Sequence, residues 1–401
     1  MKKVLLYGLG RSNLALYRLM ILDDALELYI SCEDMNFPDE IDVKHIVEID
    51  NLDFSQYDEV YIPPGISEKH KIYSYCEPKN EIDYAFTKLN AKFIGITGSN
   101  GKSTTCKLLN DALNYLGYSC YIGGNYGIPL SEIALSKSDS SYIVLELSSF
   151  QLRVLERIQF EAVIITNIEP NHLDWHVDMD SYKNSKLSIL QMLTEDGLAI
   201  ISDRSVCDSM RIPHKFSEDI TLSFEPRNLD KASQWQNVYG VLEHLNIDTN
   251  SLNEFDFVSL EHRLQHLRSK SGILCINDSK STTPGSTLFA LENIQEENLV
   301  LILGGKSKGL DLRDFVQSLA DYLYKIDSIF IYGDLLKDLD LFKDLGVNIY
   351  SNLGFMKLLD KLKQELSPFQ TIVLSPAFSS LDQFSSFEER GQVFIEFTQT
   401  I

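Results

Sequence analysis

Phe93-Ile94-Gly95-Ile96-Thr97-Gly98-Ser99-Asn100-Gly101-Lys102-Ser103-Thr104-Thr105 is the stretch on which the reading of this chain turns. The apolar run 93–97 predicts a strand, two glycines predict a tight turn, and Lys-Ser-Thr-Thr opens a helix. Backbone N–H groups of such a turn surround a phosphate, and the helix N-terminus adds positive potential. Lys102 then reaches the terminal phosphates and the Ser103 hydroxyl meets Mg²⁺. The strict pattern wants glycine where Ile96 stands, so the first loop glycine here is Gly98. Gly98, Ser99, Asn100, Gly101, Lys102, Ser103 and Thr104 are the candidate nucleotide contacts.

Other short apolar runs end in the same way, at 4–7, 142–147, 163–166, 273–276, 299–303, 328–332 and 371–374. Continuous apolar strands between amphipathic segments predict an α/β protein with parallel sheets. Ligands of such sheets lie beyond the carboxyl ends of the strands. Three blocks emerge: 1–90, 91–260 and 261–401. A polar, irregular stretch over about 203–260 closes the second.

The composition narrows the function. The 401 residues carry 36 Lys and Arg against 58 Asp and Glu, a net charge of −22, which leaves little for a basic nucleic-acid face. Any anionic ligand is held by local groups against that field. The six cysteines show no metal spacing and read as thiols in a reducing compartment. No apolar run approaches a membrane span, and the opening residues are too short for a signal peptide. The expectation is a soluble, cytoplasmic chain.

Several strand ends carry chemistry. Glu146 closes a buried run, where a carboxylate is costly unless paired or metal-bound. His172 lies in the polar turn Asn167-Ile168-Glu169-Pro170-Asn171-His172 after another. Lys186, in Tyr182-Lys183-Asn184-Ser185-Lys186, reads by itself as a solvated helix lysine. Asn277-Asp278-Ser279-Lys280-Ser281-Thr282 gathers an acid, a lysine and hydroxyls, with Lys280 placed to stabilise phosphoryl charge. The serine-rich run 375–391, with a basic loop at 304–309, suits a small dicarboxylate. Gly8-Leu9-Gly10-Arg11-Ser12-Asn13 fails the dinucleotide pattern at Asn13, and NAD is not expected.

The loop Thr97-Gly98-Ser99-Asn100-Gly101-Lys102-Ser103-Thr104 resembles that of the Mur ligases and the related folylpolyglutamate synthases. About eight motifs follow in the family's order, covering nearly the whole chain. Glu146-Leu147-Ser148-Ser149-Phe150-Gln151, Asn277-Asp278-Ser279-Lys280 and Ser379-Ser380-Leu381-Asp382-Gln383-Phe384 take the form of its D-glutamate-adding branch. The resemblance implies three domains: a Rossmann-like N-terminal domain, a central P-loop ATPase domain with a mostly parallel sheet, and a Rossmann-like C-terminal domain. It implies ATP and Mg²⁺ as cofactors, and joining of D-glutamate to UDP-N-acetylmuramoyl-L-alanine through an acyl phosphate, in peptidoglycan precursor synthesis. It makes Lys102, His172, Lys186 and Lys280 catalytic. Ser103, Glu146, His172 and a carbamylated Lys186 become metal ligands, and Asn237, Arg263 and Asp278 join the ATP site. Gly10, Arg11, Ser12, Gly65, Asn125, Ser148 and Gln151 would meet the UDP-muramyl substrate. Thr282, Lys308, Ser380, Leu381 and Phe387 would meet D-glutamate. The chain departs from the family at Pro63, Gly240 and Lys306. A monomer acting on small molecules, without nucleic acid or membrane, is expected. The other readings are another Mur ligase, a folylpolyglutamate synthase, or a P-loop ATPase acting as a switch or binding module.

Overall fold

Apolar residues on both faces of a strand need a cover on each side, and the chain supplies helices in alternation. The structure is a computed structural model. It describes residues 1–401 except 33–40, 43–45, 48–51, 67–69, 137–138, 170–175, 177, 205–212, 224–231, 258–259, 307–311 and 368–369. The described residues form three sheets. Residues 1–257 make one compact unit and 258–401 another.

In the first unit, β1 (Lys2–Tyr7), α1 (Arg11–Met20), β2 (Leu26–Ser31), β3 (Glu59–Tyr61) and α2 (Glu81–Phe86) come first. Their strands pair in parallel in the order β2-β1-β3. There follow β4 (Lys92–Thr97), α3 (Lys102–Tyr115), β5 (Cys120–Gly124), α4 (Leu130–Ser136), β6 (Tyr142–Glu146), α5 (Ser149–Leu152), β7 (Phe160–Ile165), α6 (Met179–Leu187), β8 (Leu193–Ile201), β9 (His214–Phe216) and α7 (Ala232–His244). The six strands run parallel in the order β5-β6-β4-β7-β8-β9. Ile94, Ile96, Val144 and Ile164 pack on one face with Leu108, Leu109 and Trp235. Phe93, Ile143, Leu145 and Val163 pack on the other with Ile82, Ile133 and Leu152. Central β4 thus delivers Gly98 to the middle of the sheet's carboxyl edge.

The stretch 203–260 is less irregular than its polarity suggests. It contains β9 and α7, and Trp235, Val238, Val241 and Leu242 of α7 are buried at helical spacing. A Cβ on Gly240 would lie 2.6 Å from Ile220 Cδ1, so this departure from the family pattern has a packing reason.

Helix α2 ties the first two sheets together. Asp83, 2% exposed, accepts from Glu156 N–H at 3.0 Å and Arg157 N–H at 2.8 Å. Glu81 accepts from Ser131 N–H at 2.5 Å, at the start of α4, and burial pushes its carboxyl up to about 7. Asp83→Ala strands those amides and is expected to cost about 2–4 kcal/mol, read as a lower urea midpoint at unchanged m-value. An unchanged midpoint would show that water satisfies them.

The second unit contains β10 (Gln265–Arg268), β11 (Leu274–Asn277), α8 (Pro284–Asn293), β12 (Leu299–Gly304), α9 (Arg313–Leu319), β13 (Ile326–Tyr332), β14 (Asn348–Asn352), α10 (Phe355–Glu365), β15 (Thr371–Ala377) and α11 (Phe387–Thr398). The sheet order is β10-β11-β15-β12-β13-β14, parallel except for β10. Thr283 caps α8 in a reciprocal pair with Ser286, and Pro284 stands at its first position. Among the described residues no helix is long and apolar enough to cross a membrane, and the five described cysteines form no disulfide.

Candidate active site

The phosphate loop has the geometry its glycines require. Gly98 has φ +146° and Gly101 φ +80°, and a Cβ on Gly98 would fall 1.9 Å from Thr166 Oγ1. Helix α3 starts at Lys102 with Gly101 as its cap. Lys102 Nζ donates to Gly98 O and Ser99 O, both at 2.8 Å, so the lysine folds over the loop. Asn167 braces the loop from the end of β7: its Oδ1 accepts from Ser99 N–H at 3.0 Å and Asn100 N–H at 2.8 Å. Ser99 Oγ also lies 2.9 Å from the Tyr182 hydroxyl.

Lys186 is not a solvated helix lysine. It is 2% exposed and donates to Gly98 O at 2.7 Å. The residue one turn earlier, Tyr182, holds its ring 4.7 Å from Lys186 Nζ. Burial, aided by the nearby Lys102 ammonium, pushes Lys186 well below the ordinary lysine range, while Glu146 pulls the other way. Lys186, Lys102 and Glu146 therefore gather around one loop.

Glu146 is 2% exposed at the end of β6, in register with Ile96 and Gly124. Asn125 Nδ2 donates to its Oε1 at 2.6 Å, and Asn125 N–H donates to its carbonyl at 2.9 Å. The donor set fits a nucleotide-bound Mg²⁺. Such an ion needs one or two protein oxygens beside phosphates and water, and Ser103 and Glu146 offer a hydroxyl and a carboxylate. Among the described residues no group of three or more His, Cys, Asp or Glu side chains gathers as a metal cage. His172 lies outside the described residues.

The other expected contacts fall into three groups. Ser148 and Gln151 form a capping box on α5, with Gln151 Oε1 accepting from both Ser148 N–H and Ser148 Oγ at 3.0 Å. Gly10, Arg11 and Ser12 open α1, and a Cβ on Gly10 would stand 3.7 Å from Pro63, two residues before Gly65. Asn13, where the dinucleotide pattern fails, is buried and donates to Gly8 O at 2.8 Å, so it builds this turn. Asn237 faces inward: its amide is spent on Ser202 and Ser217 and does not stand open to a base.

In the second unit, Arg263 sits between His262 (φ +59°) and Leu264 (φ +43°), two strained left-handed residues. Asp278 is 3% exposed and braces this segment, accepting from Leu264 N–H at 3.2 Å, Ser281 Oγ at 2.5 Å and Ser375 Oγ at 2.7 Å. Its carboxylate is occupied by the fold. Lys280 Nζ lies 5.5 Å from the centre of the Phe387 ring. Thr282 is half-buried, Ser380 buried and Leu381 64% exposed. Lys308 lies outside the described residues. Asn167, Tyr182 and the buried Arg390 stand within the quoted motifs but carry no role in the sequence alone, because their partners lie far away in sequence.

Burial pushes the Asp278 carboxyl up to about 6. The folded chain therefore keeps a proton there that the unfolded chain releases near pH 4. Stability from this group falls by about 3 kcal/mol as pH rises through about 4 to 6. Asp278→Asn is expected to erase that fall. Urea midpoints of the two proteins at pH 4, 5 and 7 measure it, and a gap constant across the series would sink the assignment.

Residues 96–265 match the Mur ligase middle domain. The chain is 30% identical to the UDP-N-acetylmuramoylalanine–D-glutamate ligase of Aquifex aeolicus, over 99% of this chain and 98% of that one. It belongs to the Mur ligase family. The like-named enzyme of Pseudothermotoga lettingae is also 30% identical, over 86% of this chain and 84% of its own. Among solved structures, the MurF ligase of Thermotoga maritima in complex with ADP aligns with a TM-score of 0.66 at 12% identity, covering 100% of this chain and 94% of its own. The UDP-N-acetylmuramate-alanine ligase MurC of the same organism gives 0.59 at 15%, covering 99% of each. These structural likenesses are of fold.

Proposed function

We propose that this chain is an ATP-dependent amide ligase that joins D-glutamate to UDP-N-acetylmuramoyl-L-alanine in the making of peptidoglycan precursors. The observation that carries the reading is the meeting of Lys102, Lys186 and Glu146 at a glycine loop on the central strand of a Mur ligase. Relatives named as D-glutamate ligases, aligned along nearly the whole chain, favour this member of the family.

The phosphates of ATP would lie over residues 98–104, with the Lys102 ammonium turning from the Gly98 and Ser99 carbonyls to the terminal phosphate. Ser103 and Glu146 would hold Mg²⁺, which supplies charge neutralisation when bound. A carboxylate oxygen of the L-alanine residue attacks the γ-phosphorus, ADP departs, and an acyl phosphate remains. The D-glutamate nitrogen then attacks the acyl carbon, loses a proton, and phosphate leaves as the amide forms. Lys280 would steady the phosphoryl charge, with Arg263 and Asp278 on the nucleotide side. Asn237 would take the adenine only if its buried amide were freed. Gly10, Arg11, Ser12, Gly65, Asn125, Ser148 and Gln151 would meet the UDP-muramyl substrate. Thr282, Lys308, Ser380, Leu381 and Phe387 would take D-glutamate.

Lys186, an amine held below its ordinary range, is suited to carbamylation by CO₂, which makes it an anionic oxygen donor. With His172 it would serve a second Mg²⁺. The three functional blocks are 1–90, 91–260 and 261–401, and the enzyme acts as a cytoplasmic monomer on small molecules. The test is phosphate release from ATP and Mg²⁺ with UDP-N-acetylmuramoyl-L-alanine, with and without D-glutamate, using L-glutamate and folate substrates as controls. Release that needs both substrates supports the reading. Release indifferent to D-glutamate leaves an ATPase and removes the C-terminal assignments.

A further inference from the structure

Among the described residues Arg390 is the most deeply buried cation of the second unit, at 0% exposure. Its guanidinium is fastened entirely to neutral acceptors. Nε donates to Ser279 Oγ at 2.9 Å and Nη2 to Ser279 O at 2.7 Å. Nη1 donates to the Tyr332 hydroxyl at 3.0 Å and to Phe378 O at 3.1 Å. Among the described residues no carboxylate stands within ion-pair distance of it. Glu388 and Glu389, beside it in the first turn of α11, are exposed. Asp382 feels its charge, but at longer range.

This arrangement is costly by two routes. A desolvated charge without a counter-ion is unfavourable, and neutral residues of similar shape fill such positions at lower cost. The guanidinium also lies in the first turn of α11, the positive end of the helix dipole, where cations are disfavoured. A purely structural filler has no need of either penalty. What the arginine does join is specific. Ser279 precedes Lys280, and Phe378 leads into Ser379 and Ser380. Ser279 Oγ passes the connection on to Phe387 O at 2.8 Å, and Phe387 carries the ring beside Lys280.

We infer that Arg390 is a positioning residue for the amino-acid step: it ties the loop of Lys280 to the loop of Ser380 and lends an uncompensated positive charge to the dicarboxylate bound there. The inference rests on the proposal that these loops take D-glutamate. Arginine suits the task better than lysine because its planar fork bonds two loops at once and keeps its charge when buried. The charge acts from beneath the site, without touching substrate.

Two variants of the full chain separate its two contributions. Arg390→Gln keeps hydrogen bonding and removes the charge. Its KM for D-glutamate is expected to rise about tenfold while KM for ATP and for the UDP substrate stay within about twofold. Its preference for D-glutamate over D-glutamine should narrow as well. Arg390→Lys keeps the charge and loses the fork, so the preference persists while kcat falls. Melting temperatures show whether each variant folds, and if Arg390→Gln does not, Arg390→Lys and its D-glutamate to D-glutamine ratio decide. Unchanged KM for D-glutamate, or a parallel rise in all three KM values, overturns the inference. Wild-type turnover indifferent to D-glutamate overturns the amino-acid reading itself, and this inference with it.

Discussion

Lys102→Ala is expected to slow D-glutamate-dependent phosphate release by about 10³-fold while the chain stays folded. The ammonium bonds two carbonyls of its own loop, at Gly98 and Ser99, and those carbonyls are within reach of water once it is gone. Alanine is also a strong helix former at the first position of α3. The fold therefore loses little. On the proposed function, catalysis loses the cation that would turn to the phosphates, which local groups must supply in a chain of net charge −22. The measurement pairs single-turnover phosphate release with a thermal melt. Wild-type turnover in a folded variant would remove the phosphate-loop reading.

Lys186→Met separates stability from activity in the opposite sense. An amine in the wall of the site, repelled by Lys102, is a burden on the fold, and a neutral side chain of similar volume relieves it. The variant should therefore unfold at a urea concentration no lower than wild type at pH 7, although the Gly98 carbonyl loses a donor. Turnover should fall by about 10²-fold or more. The sign of the pH dependence follows from the depressed amine. The unfolded chain binds a proton there that the folded chain refuses, so wild-type stability climbs as pH rises toward about 10.5. Any stability advantage of the methionine variant is greatest near neutrality and shrinks in alkali. A gap that widens with pH, or a fully active variant, contradicts this account.

Much of this was legible because the chemistry sits where apolar runs stop. Runs of β-branched residues located β4, β6, β7, β12, β13 and β15, and a glycine or a charged residue at their ends located the loop and Glu146. Burial on a polar helix was not legible. α6 reads Met-Asp-Ser-Tyr-Lys-Asn-Ser-Lys-Leu, with no apolar stripe to show that Tyr182 and Lys186 face inward. Contacts between remote residues were equally hidden. Arg390 meets Ser279 across 111 positions, and Asn167 meets Asn100 across 67, with no local pattern to announce either. α7 was obscured by composition, since the residues around its apolar positions are polar.

The two acids of α2 also bear on how this chain can be divided. A cut at residue 91 looks natural, because it falls before β4 and keeps the whole phosphate loop. Such a fragment would leave behind the acceptors of Ser131, Glu156 and Arg157, and would bare the face that Ile82 and Ala85 cover. Unmet amides and exposed apolar surface invite self-association, so the sheet that carries the loop is not a portable module. Contacts of α2 cross the boundary that the sequence draws at about residue 90, and for recombinant fragments or domain exchange the smallest sound unit is 1–257.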